Sequence, residues 1–319
     1  MSTGSSVVAI IILNWNGLAD TLACLESLHG LEYSEYIIVV VDNGSVDDSC
    51  GVIRARFPEV NLIENRQNLG FAGGCNRGLD FALAAGADYV LLLNNDTIVD
   101  PDLLNEFVSA AQKFENKGIF SARILYQATP DSVWFGGAQW DEKTFQFNYT
   151  DEQDITRAAY ACGCALFVPA VVAHRIGKLD ERFFLTFEDV EWCYRARRMG
   201  LESYIVPRAR VWHKVSASFG GERSPLAIYF FSRNFLLWAE RYLGLIAYLQ
   251  IFRFIVNSAA GFPPVRSSRL RHFFDMICCF LRHLMKKEQN LDSHAAFLGL
   301  KDYCLRRFGE GSEFYTLRH

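Results

Sequence analysis

An apolar run that stops on two amides and a carboxylate constrains this chain more than any other feature. Tyr89–Leu93 is five consecutive apolar residues, followed at once by Asn94, Asn95 and Asp96. Such a run reads as a strand buried on both faces, as in a parallel sheet. In open α/β sheets, ligands bind just outside the carboxyl ends of the strands. Asp96 is therefore expected beside a ligand, since folding alone gives little reason for a carboxylate there. A lone carboxylate in that place points to a hard cation, Mg²⁺ or Mn²⁺, which with few protein ligands usually holds a diphosphate.

The pattern recurs upstream. Val7–Leu13 ends on Asn14-Trp15-Asn16-Gly17, Tyr36–Val41 on Asp42-Asn43-Gly44-Ser45, and the shorter Val60–Ile63 on Glu64-Asn65. Helical patterns occupy Ala19–Leu28, Asp47–Phe57 and Phe71–Ala85. This alternation predicts an α/β fold, a Rossmann-like, mostly parallel, doubly wound sheet flanked by helices. Asn, Asp and Gly are ordinary turn formers, so any one tip taken alone reads equally well as a turn. Four in succession on one edge read better as a ligand site.

Half of the 319 residues are hydrophobic and 14% are aromatic, enough to fill one large domain or two smaller ones. The net charge of −4 gives no reason to expect nucleic acid as a partner. The charge is unevenly spread. Residues 224–319 hold 13 Lys/Arg against 7 Asp/Glu, a net +6, which leaves −10 for residues 1–223. An acidic body, 1–223, with a basic tail, 224–319, is a pattern of surface association. The nine cysteines are scattered, mostly within apolar runs, and lack zinc-ligand spacing; buried free thiols in a reducing cytosol are expected. Residues 1–6 are short and polar, so no leader is expected ahead of the first strand.

Several residues carry chemistry in their own right. Asp42, after Val39-Val40-Val41, can accept from the imide N–H of uracil or thymine, or from a ribose hydroxyl. Asn68-Leu69-Gly70-Phe71-Ala72-Gly73-Gly74 precedes a helix, and glycines at a helix start let phosphate or ribose approach backbone amides. This is not the dinucleotide fingerprint, whose glycines follow the first strand directly; hydride transfer is disfavoured. Downstream, Asp180, Glu181, Glu188 and Asp189 surround Phe183, Phe184 and Phe187. Acids in a first helical turn simply suit the helix dipole. A carboxylate against aromatic walls also tends to have a raised pKa and to act as a base. His213 ends another apolar stretch, and its company with Asp96 makes metal ligation attractive.

Taken in order over about residues 7 to 240, these features resemble the family 2 inverting glycosyltransferases of GT-A fold, within a subgroup similar to bacterial rhamnosyltransferases of surface polysaccharide synthesis. In that resemblance, Asn14 and Asn16 belong to the nucleotide-facing first loop, and Asp42 to the base-recognition turn. Asn68, Gly70 and Asn76 match the nucleotide-contact loop and helix. Asn94 and Asn95 stand where the Asp-x-Asp motif begins, and Asp96 where it ends. Phe187-Glu188-Asp189, with Glu191 and Arg195, is similar to the signature in which the Asp is general base. His213 matches a histidine that joins the metal shell, and Tyr229–Asn234 a helix that follows it. The chain departs from the pattern at Asn94, which brings no charge and leaves Asp96 as the motif's one anionic metal ligand. The implied activity moves a sugar from a dTDP- or UDP-sugar, dTDP-rhamnose among them, to a hydroxyl of a glycan or lipid-linked acceptor, with Mg²⁺ or Mn²⁺ as cofactor.

Two other functions compete. A sugar-phosphate nucleotidyltransferase would need a Gly-rich basic loop after the first strand, where this chain has Asn14-Trp15-Asn16-Gly17. A non-catalytic nucleotide-sugar-binding protein would keep the strand tips without needing Asp189. In the tail, residues 242–262 are long enough to span a bilayer, but Arg253 at the centre would cost about 2.5–3.5 kcal/mol. Residues 266–287 repeat an amphipathic, basic pattern. A helical C-terminal region is expected, packed on the protein or lying on the inner face of the cytoplasmic membrane. The sequence leaves the oligomeric state open.

Overall fold

The computed structural model describes residues 6–215, 224–259 and 291–311. Its contacts divide the chain into two units: residues 1–184 with 188–215, and residues 185–187 with 216–319.

The first unit is built on one large sheet. Its strands are β1 (Val8–Asn14), β2 (Tyr36–Asp42), β3 (Asn61–Glu64), β4 (Tyr89–Asn94), β5 (Thr97–Val99), β6 (Gly118–Tyr126), β7 (Val133–Phe135), β10 (Thr156–Ala158), β11 (Ala165–Pro169) and β12 (Glu202–His213). A separate hairpin pairs β8 (Ala138–Asp141) with β9 (Gln146–Tyr149). The helices are α1 (Leu18–Leu28), α2 (Ser49–Arg56), α3 (Gly70–Ala84), α4 (Leu103–Lys113), α5 (Ala170–Ile176) and α6 (Glu188–Arg198).

The sheet order is β10-β12-β6-β11-β4-β1-β2-β3, with β5 on β12 and β7 on β6. Strands β1 to β4 run parallel, as the unbroken apolar runs of β1, β2 and β4 predict. Strand β11 is antiparallel to β4 and β6 on either side. Strand β12 is parallel to β6. Within the order 3-2-1-4 the chain reverses direction across the sheet at β1, the switch point where a crevice opens beyond the strand ends. That crevice is bordered by Asn14, Asp42 and Asn94, the last residues of β1, β2 and β4.

Packing explains the glycines of α3. A Cβ on Gly74 would lie 2.2 Å from Leu13 Cδ1, and one on Gly78 would lie 2.4 Å from Ile11 Cγ2. The helix therefore lies close to β1, and a methyl at either position would force Leu13 or Ile11 to shift. On the other side of the core, α4 buries Leu103, Leu104, Phe107 and Ala111, with Phe107 stacked on Phe167 of β11 at 4.9 Å.

The second unit contains α7 (Pro225–Tyr242), α8 (Leu245–Ala259) and α9 (Leu291–Cys304). Ser224 caps α7, accepting from Ala227 N at 3.2 Å, with Pro225 in the first turn where its missing N–H costs nothing. Arg233 is fully buried. Its guanidinium donates to Asn234 Oδ1 (2.9 Å) and Gly309 O (2.7 Å), and Tyr229 donates to Asp302 (2.6 Å). Asn234 in turn donates to the carbonyls of Leu185 and Thr186 at 2.8 and 2.9 Å. Phe187 stacks on Phe235 at 5.3 Å. Of the apolar segment expected at 242–262, α8 forms 15 residues, burying Ile251, Ile255 and Ala259. Among the described residues no helix is long and apolar enough to cross a membrane. The amphipathic stretch expected at 266–287 lies outside the described residues.

Candidate functional site

The first two strand tips are tied to each other by side chains. Asn14 donates to Asp42 Oδ1 at 2.8 Å and accepts from Thr21 Oγ1 at 2.8 Å. Asp42 Oδ2 accepts from Ser45 N at 3.0 Å. Asn16, at φ +51°, accepts from Val46 N at 2.8 Å, and its own N–H donates to Ser45 Oγ at 2.9 Å. Asp42 is thus buried with a set orientation, while its two oxygens keep lone pairs for a further donor. Asn43 knits the next layer. It donates to Asn68 Oδ1 (2.8 Å) and Gly70 O (3.1 Å), and accepts from Asn65 Nδ2 (3.0 Å) and Leu69 N (3.1 Å). The sequence reading quoted Asn43 without singling it out. Its position inside the recognition turn, directly after Asp42, is the available signal.

At the β4 tip, β5 turns back and pairs antiparallel with the end of β12, so that His213 faces Thr97. Lys214 N closes the turn on Asp96 O at 3.0 Å. This pairing brings His213 Nε2 to 3.0 Å from Asp96 Oδ1, with both side chains buried. Asn94 Nδ2 lies 3.4 Å from the same ring nitrogen. Asn95 donates to Thr21 Oγ1 at 2.9 Å and so connects this tip to Asn14.

A carboxylate and an imidazole make a donor set acceptable to a first-row dication. At 3.0 Å the two side chains are in direct hydrogen-bond contact, and they are the groups that would hold such an ion. Nε2 can ligate only with the ring proton on Nδ1, and Nδ1 is buried with no hydrogen-bond partner among the described residues. Among those residues no cluster of three or more His, Cys, Asp or Glu forms a complete cage. The remaining ligands of any ion here would come from substrate and water.

Glu188 and Asp189 open α6. Asp189 Oδ2 accepts from Gly163 N at 2.8 Å and Oδ1 from Val190 N at 2.7 Å. The neighbouring Cys164 accepts through its carbonyl from Asn94 N at 2.9 Å. The segment 163–164 therefore joins the acid pair to the β4 tip, a role that no local motif in the sequence announces. Burial raises the Asp189 carboxyl above its ordinary range, while the two backbone donors pull it down. Burial, and then the Asp189 charge, push Glu188 well above the usual carboxylate range. Glu188 Oε2 has no hydrogen-bond partner among the described residues.

Other residues named from the sequence make contacts of their own. The amides at the start of α3, Phe71 N and Ala72 N, both point at Phe184 O, at 2.6 and 3.4 Å. A Cβ on Gly70 would meet the same residue at 2.5 Å. Asn76 is bonded to Leu179 and Glu181. Asp180 pairs with Arg182 at 2.6 Å, and Glu191 with Arg195 at 2.9 Å. The described cysteines are free thiols.

The family model described as Glycosyl transferase family 2 matches residues 9–174. The low-salt glycan biosynthesis hexosyltransferase Agl10 of Haloferax volcanii is 28% identical over 202 residues, 60% of this chain and 62% of its own length. The N-acetylglucosaminyl-diphospho-decaprenol L-rhamnosyltransferase of Mycobacterium tuberculosis is 25% identical over 232 residues, 65% of this chain and 76% of its own. The dTDP-rhamnosyl transferase RfbF of Shigella flexneri is 23% identical over 255 residues, covering 76% and 83%. A solved structure of GalNAc-T7 with UDP, GalNAc and Mn²⁺ superposes with a TM-score of 0.62 at 16% identity, over 92% of this chain and 59% of that one. The mannosyltransferase PcManGT from Pyrobaculum calidifontis superposes with a TM-score of 0.54 at 14% identity, over 98% and 83%. The chain spans less than two thirds of the length of Agl10 and of GalNAc-T7.

Proposed function

This chain belongs to glycosyl transferase family 2, and on that premise we propose that it transfers a sugar, with inversion, from a dTDP- or UDP-sugar to a hydroxyl of a glycan or lipid-linked acceptor. The observation that carries this reading is the 3.0 Å pairing of Asp96 with His213 on the edge that also holds the buried Asp42. Asp42 accepts from the imide of the base, with Asn14 and Asn16 holding the loops around it. Asn94 and Asn95 border the diphosphate, and Asn68 shapes the base side through Asn43. Asp96 and His213 would hold a divalent cation, which when bound neutralises charge on a departing diphosphate. The acceptor oxygen bonds to the anomeric carbon as the bond to the diphosphate oxygen breaks, and the bonding pair leaves with the diphosphate. Asp189 takes the hydroxyl proton, an effect typically worth roughly 10²–10⁴ in rate. Glu188 orients the loop or the acceptor.

The relatives support the finer choices. One is named for a dTDP donor and another for a diphospho-decaprenol acceptor. Both solved neighbours are complexes with Mn²⁺. The basic second unit is read as the part that rests on the inner face of the cytoplasmic membrane, where a lipid-linked acceptor would be presented.

A thermal-shift panel of nucleotide sugars with Mn²⁺ or Mg²⁺ tests the donor. At 100 times its dissociation constant the true donor should stabilise the chain by about 2.7 kcal/mol. Asp96→Ala should abolish metal-dependent binding and His213→Ala should weaken it less. Equal donor affinity with and without chelator would sink the assignment. Pyrophosphate released in place of nucleoside diphosphate would identify a nucleotidyltransferase, and binding without turnover a sensor.

A further inference from the structure

We propose that Asn76 is a positioning residue, which with its neighbours on α3 straps the segment Lys178–Phe184 in place on the approach to the acid pair. The proposal rests on the transferase reading only where it invokes turnover. Asn76 is buried, and its side chain is saturated on the donor side. Nδ2 donates to Leu179 O and to Glu181 Oε1, each at 3.0 Å, while Oδ1 accepts from Leu179 N at 3.0 Å. Both amide hydrogens are used, so none remains for a phosphate or a ribose.

The strap continues along the same helix. One turn further along, Asp80 pairs with Lys178 at 2.6 Å. At the helix start, Phe184 O takes the N–H groups of Phe71 and Ala72 and so satisfies two of the orphan donors of a helix N-terminus. Gly70, at φ +73°, leaves space for Phe184, which itself sits at φ +57°. Phe184 therefore holds an unfavourable backbone conformation for a bulky residue, which persists only where surrounding contacts over-determine it. The opposite side of α3 is pressed on Leu13 and Ile11 through Gly74 and Gly78. One helix thus ties the strand that ends at Asn14 to the segment that precedes Glu188 and Asp189. A misplacement of about 1 Å at a reacting group can cost about 10²-fold in rate, so the grip of Asn76 is expected to matter for turnover.

The test compares the full chain with Asn76→Ala and Asn76→Asp, the latter keeping an acceptor oxygen for Leu179 N. Hydrogen exchange read by mass spectrometry reports on the strap. Titration with UDP and dTDP in Mn²⁺ reports on the donor site. Nucleoside diphosphate release from UDP- and dTDP-sugars reports on turnover. In Asn76→Ala, amides across 178–184 should exchange at least about 10-fold faster, while peptides from β1, β2 and β4 stay unchanged. Nucleotide affinity should stay within about twofold, and kcat should fall with KM for the donor sugar unchanged. Asn76→Asp should loosen the strap less. Nucleotide affinity lost about 10-fold with unchanged exchange would put Asn76 in the nucleotide site and overturn the proposal. Uniformly faster exchange across the unit would make Asn76 a fold residue only and would also overturn it. If the wild-type chain releases no nucleotide, the transferase reading fails, and the exchange and affinity measurements decide the strap by themselves.

Discussion

Glu188 and Asp189 sit side by side at the start of α6 and are supported unequally. Both Asp189 oxygens accept backbone N–H groups, whereas Glu188 leaves one oxygen without a partner. Two adjacent carboxylates withdrawn from solvent do not both ionise cheaply. The charge therefore settles on Asp189, and Glu188 keeps its proton longer. This favours Asp189 as the base. Asp189→Asn, nearly isosteric, should leave donor binding close to normal and lower kcat at least about 10²-fold. Normal turnover in Asp189→Asn with a dead Glu188→Gln would reverse the two roles. The same asymmetry has a stability consequence. The folded state raises the Glu188 pKa above its ordinary 4.5, so it binds that proton more tightly than the unfolded chain. The resulting stability is fully present below about pH 4.5 and is lost as pH rises through the folded value. Gln carries no such titration. Melting curves should show Glu188→Gln gaining on the wild type as pH rises above about 4.5. A difference that stays flat over that range would mean that Glu188 is not the buried proton holder.

At the scale of elements, the contact between α3 and β1 leaves little room for a side chain at Gly74 or Gly78. Gly74→Ala would put a methyl 2.2 Å from Leu13 Cδ1. Overpacking of that kind costs about 1–3 kcal/mol, against a helix-propensity gain of about 0.5–1 kcal/mol. A net loss of up to about 2.5 kcal/mol should appear as a lower urea midpoint at unchanged slope; a higher midpoint would show that the interface has room. These glycines also show how much could be read in advance. Strands β1, β2 and β4 were legible because burial on both faces turns them into continuous apolar runs, and their polar ends marked the crevice. Gly70, Gly73 and Gly74 read from sequence as a ligand approach, and the packing of Gly74 on Leu13 and of Gly78 on Ile11 is seen only in the fold. Strand β11 pairs with β4 some seventy positions away, and nothing local in Ala165–Pro169 announces that insertion. The positive φ values of Phe184, Thr186 and Phe187 were beyond sequence reading for the same reason. Bulky and β-branched residues disfavour that region, and tertiary contacts such as those on Phe184 O override the local preference. Asp96 and His213 were expected together. Their juxtaposition depends on β5 folding back on β12, a pairing that links residues more than a hundred positions apart.

At the scale of the whole molecule, charge and apolar exposure coincide in one part of the chain. Residues 224–319 carry the net +6, and α8 within them leaves Leu245, Ile246 and Leu249 exposed at 71%, 72% and 53%. The opposite side of that helix is buried through Ile251, Ile255 and Ala259, so the exposed side chains are not simply left over from the core. An apolar row on a helix of 15 residues in a basic region fits an anionic lipid surface better than a bilayer span. Each aliphatic side chain contributes about 1.5–3 kcal/mol when fully buried, and each basic residue near an anionic surface about 1 kcal/mol. Replacing Leu245, Ile246 and Leu249 by Ser should therefore weaken co-sedimentation with phosphatidylglycerol vesicles at least about 10-fold. Raised salt should weaken the wild type as well, and neutral phosphatidylcholine vesicles should bind it poorly. The basic residues remain in the triple variant, so a binding loss confined to salt would assign the attraction to charge alone and remove α8 from the contact. Wild-type protein that stays in cell membranes through carbonate would show that the chain enters the bilayer, and surface binding would then be the wrong description.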